Sequence, residues 1–143
     1  MPGKWFDVGF MIEQRKYNRL KPKVHAFAVM RPDFIIVGRV KDISRNGLAF
    51  DYLAHENKTV DIYGSEMDFF IPNSDFCIMQ IPCEIIYDIG TGKDVDTFII
   101  LFTNRRCGVK FRDLSDEQEA KLLFFLDTYA NGNSLYGQRR NTG

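Results

Sequence analysis

The amino-acid sequence predicts a mainly β chain: six or seven short antiparallel strands in a closed or nearly closed barrel, with one helix packed on it at the C-terminal end. Three observations predict this. Phe 13, Tyr 6 and Trp 1 among 143 residues form an aromatic content that favours strands. Short apolar runs recur between turn signals along most of the chain. Helical periodicity stands out in one stretch, after Ser115. A length of 143 residues fits one domain, and 45% hydrophobic with 27% charged residues is ordinary globular composition.

The elements follow in order. Val24–Met30 is apolar and lies between Pro22 and Pro32, which bound a strand because proline cannot donate to a ladder. Ile35–Ile43 comes next, then the turn Asp42-Ile-Ser-Arg-Asn-Gly47, then Leu48–Leu53. Asn46-Gly47 between apolar runs is a hairpin signal, since glycine supplies a positive φ at little cost. Further strands are expected at Val60–Tyr63, Met67–Ile71, Cys77–Tyr87, Thr97–Thr103 and Cys107–Phe111. The loop Gly90-Thr-Gly-Lys-Asp94 is expected to join two of them, and Asn104–Arg106 to turn the last pair.

Ser115 and Gln118 make a capping box, and Asp116, Glu117 and Glu119 suit the positive end of a helix dipole. Leu122, Phe125, Leu126 and Tyr129 then give one buried stripe, which Asn131-Gly132 ends. Residues 131–143, polar and rich in Gly and Asn, read as a flexible tail. Residues 1–12 read as a leader whose Trp5, Phe6 and Phe10, with Met11, pack on the barrel or dock a partner. The 14 residues before Arg15 leave no room for a separate regulatory domain.

Charge balances at 19 against 19, which excludes a generic polycation that coats nucleic acid or membrane. The distribution is uneven. Residues 1–50 carry ten Lys/Arg and four Asp/Glu, residues 51–104 carry two against ten, and residues 105–143 carry seven against five. An anionic ligand is therefore expected at the N-terminal third. Apolar runs reach five residues at most, far short of a membrane span, so no membrane insertion is expected. Three cysteines (Cys77, Cys83, Cys107) without a C-x-x-C pair point to reduced structural thiols and a cytoplasmic location.

Catalytic patterns are missing. His25 and His55 have no metal-ligand spacing to each other or to a cysteine. Gly90-Thr-Gly-Lys93 imitates the tail of a phosphate loop, but Tyr87 stands where the first glycine belongs and Asp94 where Ser or Thr would hold magnesium. Nothing supports an enzyme, a metal or a cofactor.

What remains is a pair of motifs. Arg15-Lys-Tyr-Asn-Arg19 lies in the densest basic run, and Pro22 biases Lys21 toward extended backbone, so a loop is expected. A guanidinium can grip phosphate or the O6/N7 edge of guanine bidentately. Chance alone predicts roughly 0.7 such arginine pairs, so the pair means little by itself. Asp42-Ile-Ser44-Arg-Asn-Gly47 is far rarer, with roughly 0.03 occurrences expected. Asp42 can accept from the N1–H and N2–H₂ edge of guanine; Ser44, two residues on, adds a hydroxyl, and Gly47 permits close backbone approach. A turn that merely closes a hairpin is the alternative.

Together and in this order, with 22 residues between Arg19 and Asp42, the motifs resemble those of the PilZ domain family, R-x-x-x-R followed by D/N-x-S-x-x-G. Arg105-Arg-Cys-Gly-Val-Lys-Phe111 before the helix is similar to that family's closing strand. The resemblance covers residues 13–130 as one PilZ domain. It implies a six-stranded antiparallel, split-barrel-like β-barrel with a C-terminal α-helix, and a bacterial cytoplasmic receptor for cyclic di-GMP. By that resemblance Arg15 and Arg19 contact phosphates and guanine faces, and Asp42, Ser44 and Gly47 hold a guanine edge. Gln14, Lys16, Arg45 and Lys110 lie within reach of the same ligand, or are solvated surface. The implied output is a protein effector of unknown identity in motility, biofilm or pilus control, served by a monomer or homodimer. Two other readings stay open: a PilZ-like scaffold that ignores nucleotide, and a small oligonucleotide-binding barrel.

Overall fold

The computed structural model describes residues 17–32, 36–55, 66–96 and 101–130. Among the described residues six strands, β1 (Phe27–Arg31), β2 (Val37–Ser44), β3 (Gly47–His55), β4 (Glu66–Phe70), β5 (Cys77–Asp96) and β6 (Leu101–Phe111), precede one helix, α1 (Asp116–Tyr129). The strands close into a barrel in the order β1-β2-β3-β6-β5-β4, with β4 returning to β1 and every pairing antiparallel. Closure leaves none of the six described strands at a sheet edge, which suits a chain with this many apolar strands. Strand alternation sends Val40, Leu48, Phe50, Met67, Phe69, Ile81 and Val109 into the core.

Helix α1 begins as expected. Ser115 accepts from the Gln118 amide at 3.0 Å and the Gln118 side chain accepts from the Ser115 amide at 3.0 Å. Leu122, Phe125 and Leu126 are buried against the barrel, while Tyr129 is half-buried. Phe125 meets Phe69 of β4 edge-on, with ring centroids 4.7 Å apart. The Gln118 side-chain amide donates to the carbonyls of Met79 and Gln80, which fixes the helix start over β5.

Three expectations are corrected. Asn104–Arg106 is not a turn, because β6 runs unbroken from Leu101 to Phe111. Gly90–Asp94 is not a loop either: β5 continues to Asp96, with a register shift between Gly90 and Asp94. The reason is a polar lining at this end of the barrel. The Tyr52 hydroxyl donates to the Asp88 carboxylate, 2.9 and 2.8 Å from its two oxygens, and Arg105 donates to the Asp88 side chain and carbonyl. Polar residues that resemble turn chemistry thus sit inside strands. The third concerns Gly47, which has no positive φ; a Cβ there would strike the Val109 carbonyl of β6, so close strand approach is what it serves. The expected strand Val60–Tyr63, the leader and the tail lie outside the described residues.

The cysteines are free, with Cys83 and Cys107 buried in the core and Cys77 half-buried. Burial pushes the Cys83 thiol up to about 11 and the Cys107 thiol up to about 12. An unfolded thiol ionises near pH 8.5, so above that pH the unfolded chain releases protons the native state keeps. Stability is then present below the unfolded value and declines as pH rises, by up to about 1.4 kcal/mol per pH unit for each thiol. The urea midpoint is expected to drop between about pH 9 and 11. Cys107→Ala should drop less steeply; an equal slope in that variant would refute the thiol assignment.

Candidate functional site

The segment after the basic run forms a strap on the outside of the barrel. The Leu20 amide donates to the Ile43 carbonyl at 2.8 Å, and the Ile43 amide donates back to the Leu20 carbonyl at 2.9 Å. Leu20 buries its side chain in the core, which anchors the strap. Further on, Pro22 pairs with Ala130 and the Lys23 amide donates to the Tyr129 carbonyl at 2.6 Å. This path is extended, as Pro22 predicts, and it delivers Arg19 to β2.

There Arg19 Nη1 donates to Asp42 Oδ1 at 2.5 Å. The two side chains are 27% and 28% exposed, so the pair lies at the surface. A register shift between Val40 and Asp42 bulges β2 at this point, a feature that re-aims a side chain. The two motifs therefore meet. Arg15, Gln14 and Lys16 lie outside the described residues.

Ser44 is 2% exposed, its hydroxyl donating to Asn46 Oδ1 at 2.7 Å and accepting from the Asn46 amide at 3.3 Å. That hydroxyl braces the turn. Gly47 is packed against β6, while Arg45 turns outward to Tyr17 and to Glu119 of α1. Lys110 is exposed on β6, opposite Gly47.

Strand register brings further residues alongside, which sequence reasoning missed. One row across the outer face reads Asp42, Ala49, Gly108, Tyr87. The next reads Arg39, Asp51, Arg106, Ile89. Ala49 has no exposed surface yet is outside the core cluster, and Gly108 lies so close under the Tyr87 ring that a Cβ would collide with it. Small residues thus form a floor and the Tyr87 ring covers one end of it. Arg106 is held flat by Asp51 through Nε at 2.6 Å and Nη2 at 3.0 Å. The hydrogen bond to Asp51 raises the Arg106 pKa further, so its charge is permanent. Beside these lies an open trough of about 300 Å³ lined by Lys21, Arg39, Lys41, Asp42 and Arg106, with Pro22, Val24 and Val40. Four cations against one carboxylate give it a net positive lining.

Among the described residues no cluster of three or more His, Cys, Asp or Glu is placed to hold a metal ion. No described helix is long and apolar enough to cross a membrane.

These features define a small closed β-barrel with a cation-lined surface trough where two sequence motifs join. The chain belongs to the PilZ domain family, whose model matches residues 13–127. Among solved structures it is similar to the PilZ domain with c-di-GMP of YcgR from Escherichia coli, at a TM-score of 0.56 and 15% identity, covering 90% of this chain and 96% of that one. It is also similar to YcgR from Escherichia coli in complex with c-di-GMP, at a TM-score of 0.49 and 16% identity, covering 90% of this chain and 49% of that one. No curated protein matches the sequence. At 15% identity the first of these likenesses is one of fold.

Proposed function

We propose that this chain is a receptor for cyclic di-GMP, with residues 13–130 as the receptor unit. The observation that carries the reading is the contact of Arg19 with Asp42 beside a cationic trough. A carboxylate offers about four lone-pair sites. Asp42 can therefore hold Arg19 through one oxygen and still accept the N1–H and N2–H₂ edge of a guanine. Adenine offers no such pair of donors, so the same carboxylate selects the base. Arg19, joined by Arg15, meets the phosphates, and Arg39 and Arg106 extend the positive surface. Ser44 and Gly47 serve by shaping the turn that presents Asp42. The Tyr87 ring offers an apolar face to a base. The fold match to a PilZ domain described with c-di-GMP supports the same ligand.

Ordering the arginine loop costs about 1–2 kcal/mol per residue, which offsets much of the gain from charge-assisted contacts. A micromolar constant, near about −8 kcal/mol, follows, and the ordered loop is the signal passed on. The recipient is a cytoplasmic protein effector in motility, biofilm or pilus control. An oligonucleotide would need a longer basic track, whereas the trough gathers four cations around Asp42.

Calorimetric titration with cyclic di-GMP, cyclic di-AMP and GTP tests the reading. Binding of cyclic di-GMP at about micromolar strength is expected, with cyclic di-AMP at least about tenfold weaker. No heat with cyclic di-GMP, or equal affinity for the adenine analogue, would overturn it.

A further inference from the structure

Arg45 occupies the middle of the D-x-S-x-x-G turn, yet its guanidinium carbon lies 5.0 Å above the ring centroid of Tyr17. The same group donates through Nη2 to Glu119 Oε2 at 3.2 Å. Tyr17 is inside Arg15-Lys-Tyr-Asn-Arg19, and Glu119 is in the first turn of α1, where its own amide donates to the Ser115 carbonyl at 2.9 Å. One planar cation thus touches three parts of the molecule: the ligand loop, the β2–β3 turn and the helix.

Two of those parts are rigid. The turn is braced by Ser44 and Asn46, and the helix start by its capping box and by Gln118 on β5. The third part is the loop. We infer that Arg45 is a positioning residue that holds Tyr17, and with it the backbone leading to Arg19, against α1, so that ligand binding and the helix are energetically coupled. The ligand half of this inference rests on the receptor reading above.

The physical logic is preorganisation. A loop already stacked on Arg45 loses less freedom when ligand arrives. Linkage makes the effect reciprocal: a ligand that orders the loop tightens Arg45 on Glu119 and steadies the first turn of α1. Both contacts are partly exposed, with Arg45 38% and Glu119 49% exposed, so each is modest. Arg45→Ala is expected to weaken cyclic di-GMP binding about 3- to 5-fold. Arg45→Lys should recover part of this, since it keeps the charge on Glu119 but loses the flat stack. Glu119→Gln should weaken binding about twofold, and should add nothing in an Arg45→Ala background, because Glu119 acts through Arg45.

The decisive measurement pairs that double-mutant cycle, by calorimetry, with amide exchange of the ligand-free protein. In Arg45→Ala and Glu119→Gln without ligand, the Leu20 amide is expected to exchange about 2- to 5-fold faster, while the urea midpoint stays within error. Unchanged Leu20 exchange in Arg45→Ala overturns the inference. So does an affinity loss in Arg45→Ala that Glu119→Gln does not share, which would make Arg45 a direct ligand contact. If the unaltered protein binds no cyclic di-GMP, the receptor reading fails, and the Leu20 exchange still decides the link from helix to loop.

Discussion

Arg19→Ala and Asp42→Ala are each expected to abolish calorimetric binding of cyclic di-GMP. Arg19 would contribute charge-assisted bonds to phosphate or a bidentate grip on guanine, about 1–3 kcal/mol. Its removal does more than delete those bonds. Asp42 Oδ1 would lose the partner it has at 2.5 Å, and an unpaired carboxylate would then face the ligand's phosphates. Removing Asp42 deletes the guanine-edge acceptor and frees the Arg19 guanidinium, although Leu20 still pairs with Ile43 and keeps the strap on β2. Either change should cost about two decades of affinity, enough to carry a micromolar ligand beyond calorimetric detection. Unfolding is not the cause. The pair is about a quarter exposed on each side, and such pairs are worth at most about 1 kcal/mol after solvent screening, so the urea midpoint should hardly move. Asp42→Asn keeps one acceptor oxygen and should fall between wild type and alanine. Wild-type affinity in both alanine variants would remove the site from this face of the barrel.

The motif residues were legible because their chemistry is local. Asp42 through Gly47 is a rare string, and a basic run before a proline reads as an extended loop, which is how residues 17–24 travel. The helix was equally legible, since capping and stripe are both short-range patterns. Tyr87, Arg39 and Arg106 were not. Their place beside Asp42 comes from register, Asp42 opposite Ala49, Ala49 opposite Gly108 and Gly108 opposite Tyr87, and pairing between distant strands leaves no mark in the local sequence. Arg106 was further hidden by being assigned to a turn. A barrel end lined by Tyr52, Asp88 and Arg105 puts charge where period-two alternation expects apolar residues, so β5 and β6 read as interrupted. Gly47 was identified for the wrong virtue: the Val109 carbonyl excludes a side chain there, and no local signal reports that contact.

Phe125→Ala should produce a large loss of stability, and through it a loss of binding. The ring is fully buried and meets Phe69 edge-on at 4.7 Å, Phe76 at 5.6 Å and Tyr129 at 5.7 Å. Truncating a buried phenylalanine costs about 3–5 kcal/mol, a large share of the 5–15 kcal/mol that holds a typical domain. At roughly 4 °C per kcal/mol, a melting temperature lower by about 12–20 °C is expected. Phe124 is the control one residue away. It is 53% exposed, and its alanine variant should melt within about 4 °C of wild type. The functional consequence follows from what α1 carries. Its end receives the Lys23 amide and pairs Ala130 with Pro22, and its start holds Arg45 through Glu119. A helix that loses its anchor loosens both ends of the strap, so Phe125→Ala should bind cyclic di-GMP more weakly even well below its melting point. Phe125 itself sits in the core and touches none of the trough. A melting temperature within a few degrees of wild type would mean that α1 is not the brace for the strap, and the route from ligand loop to helix would then have no rigid support.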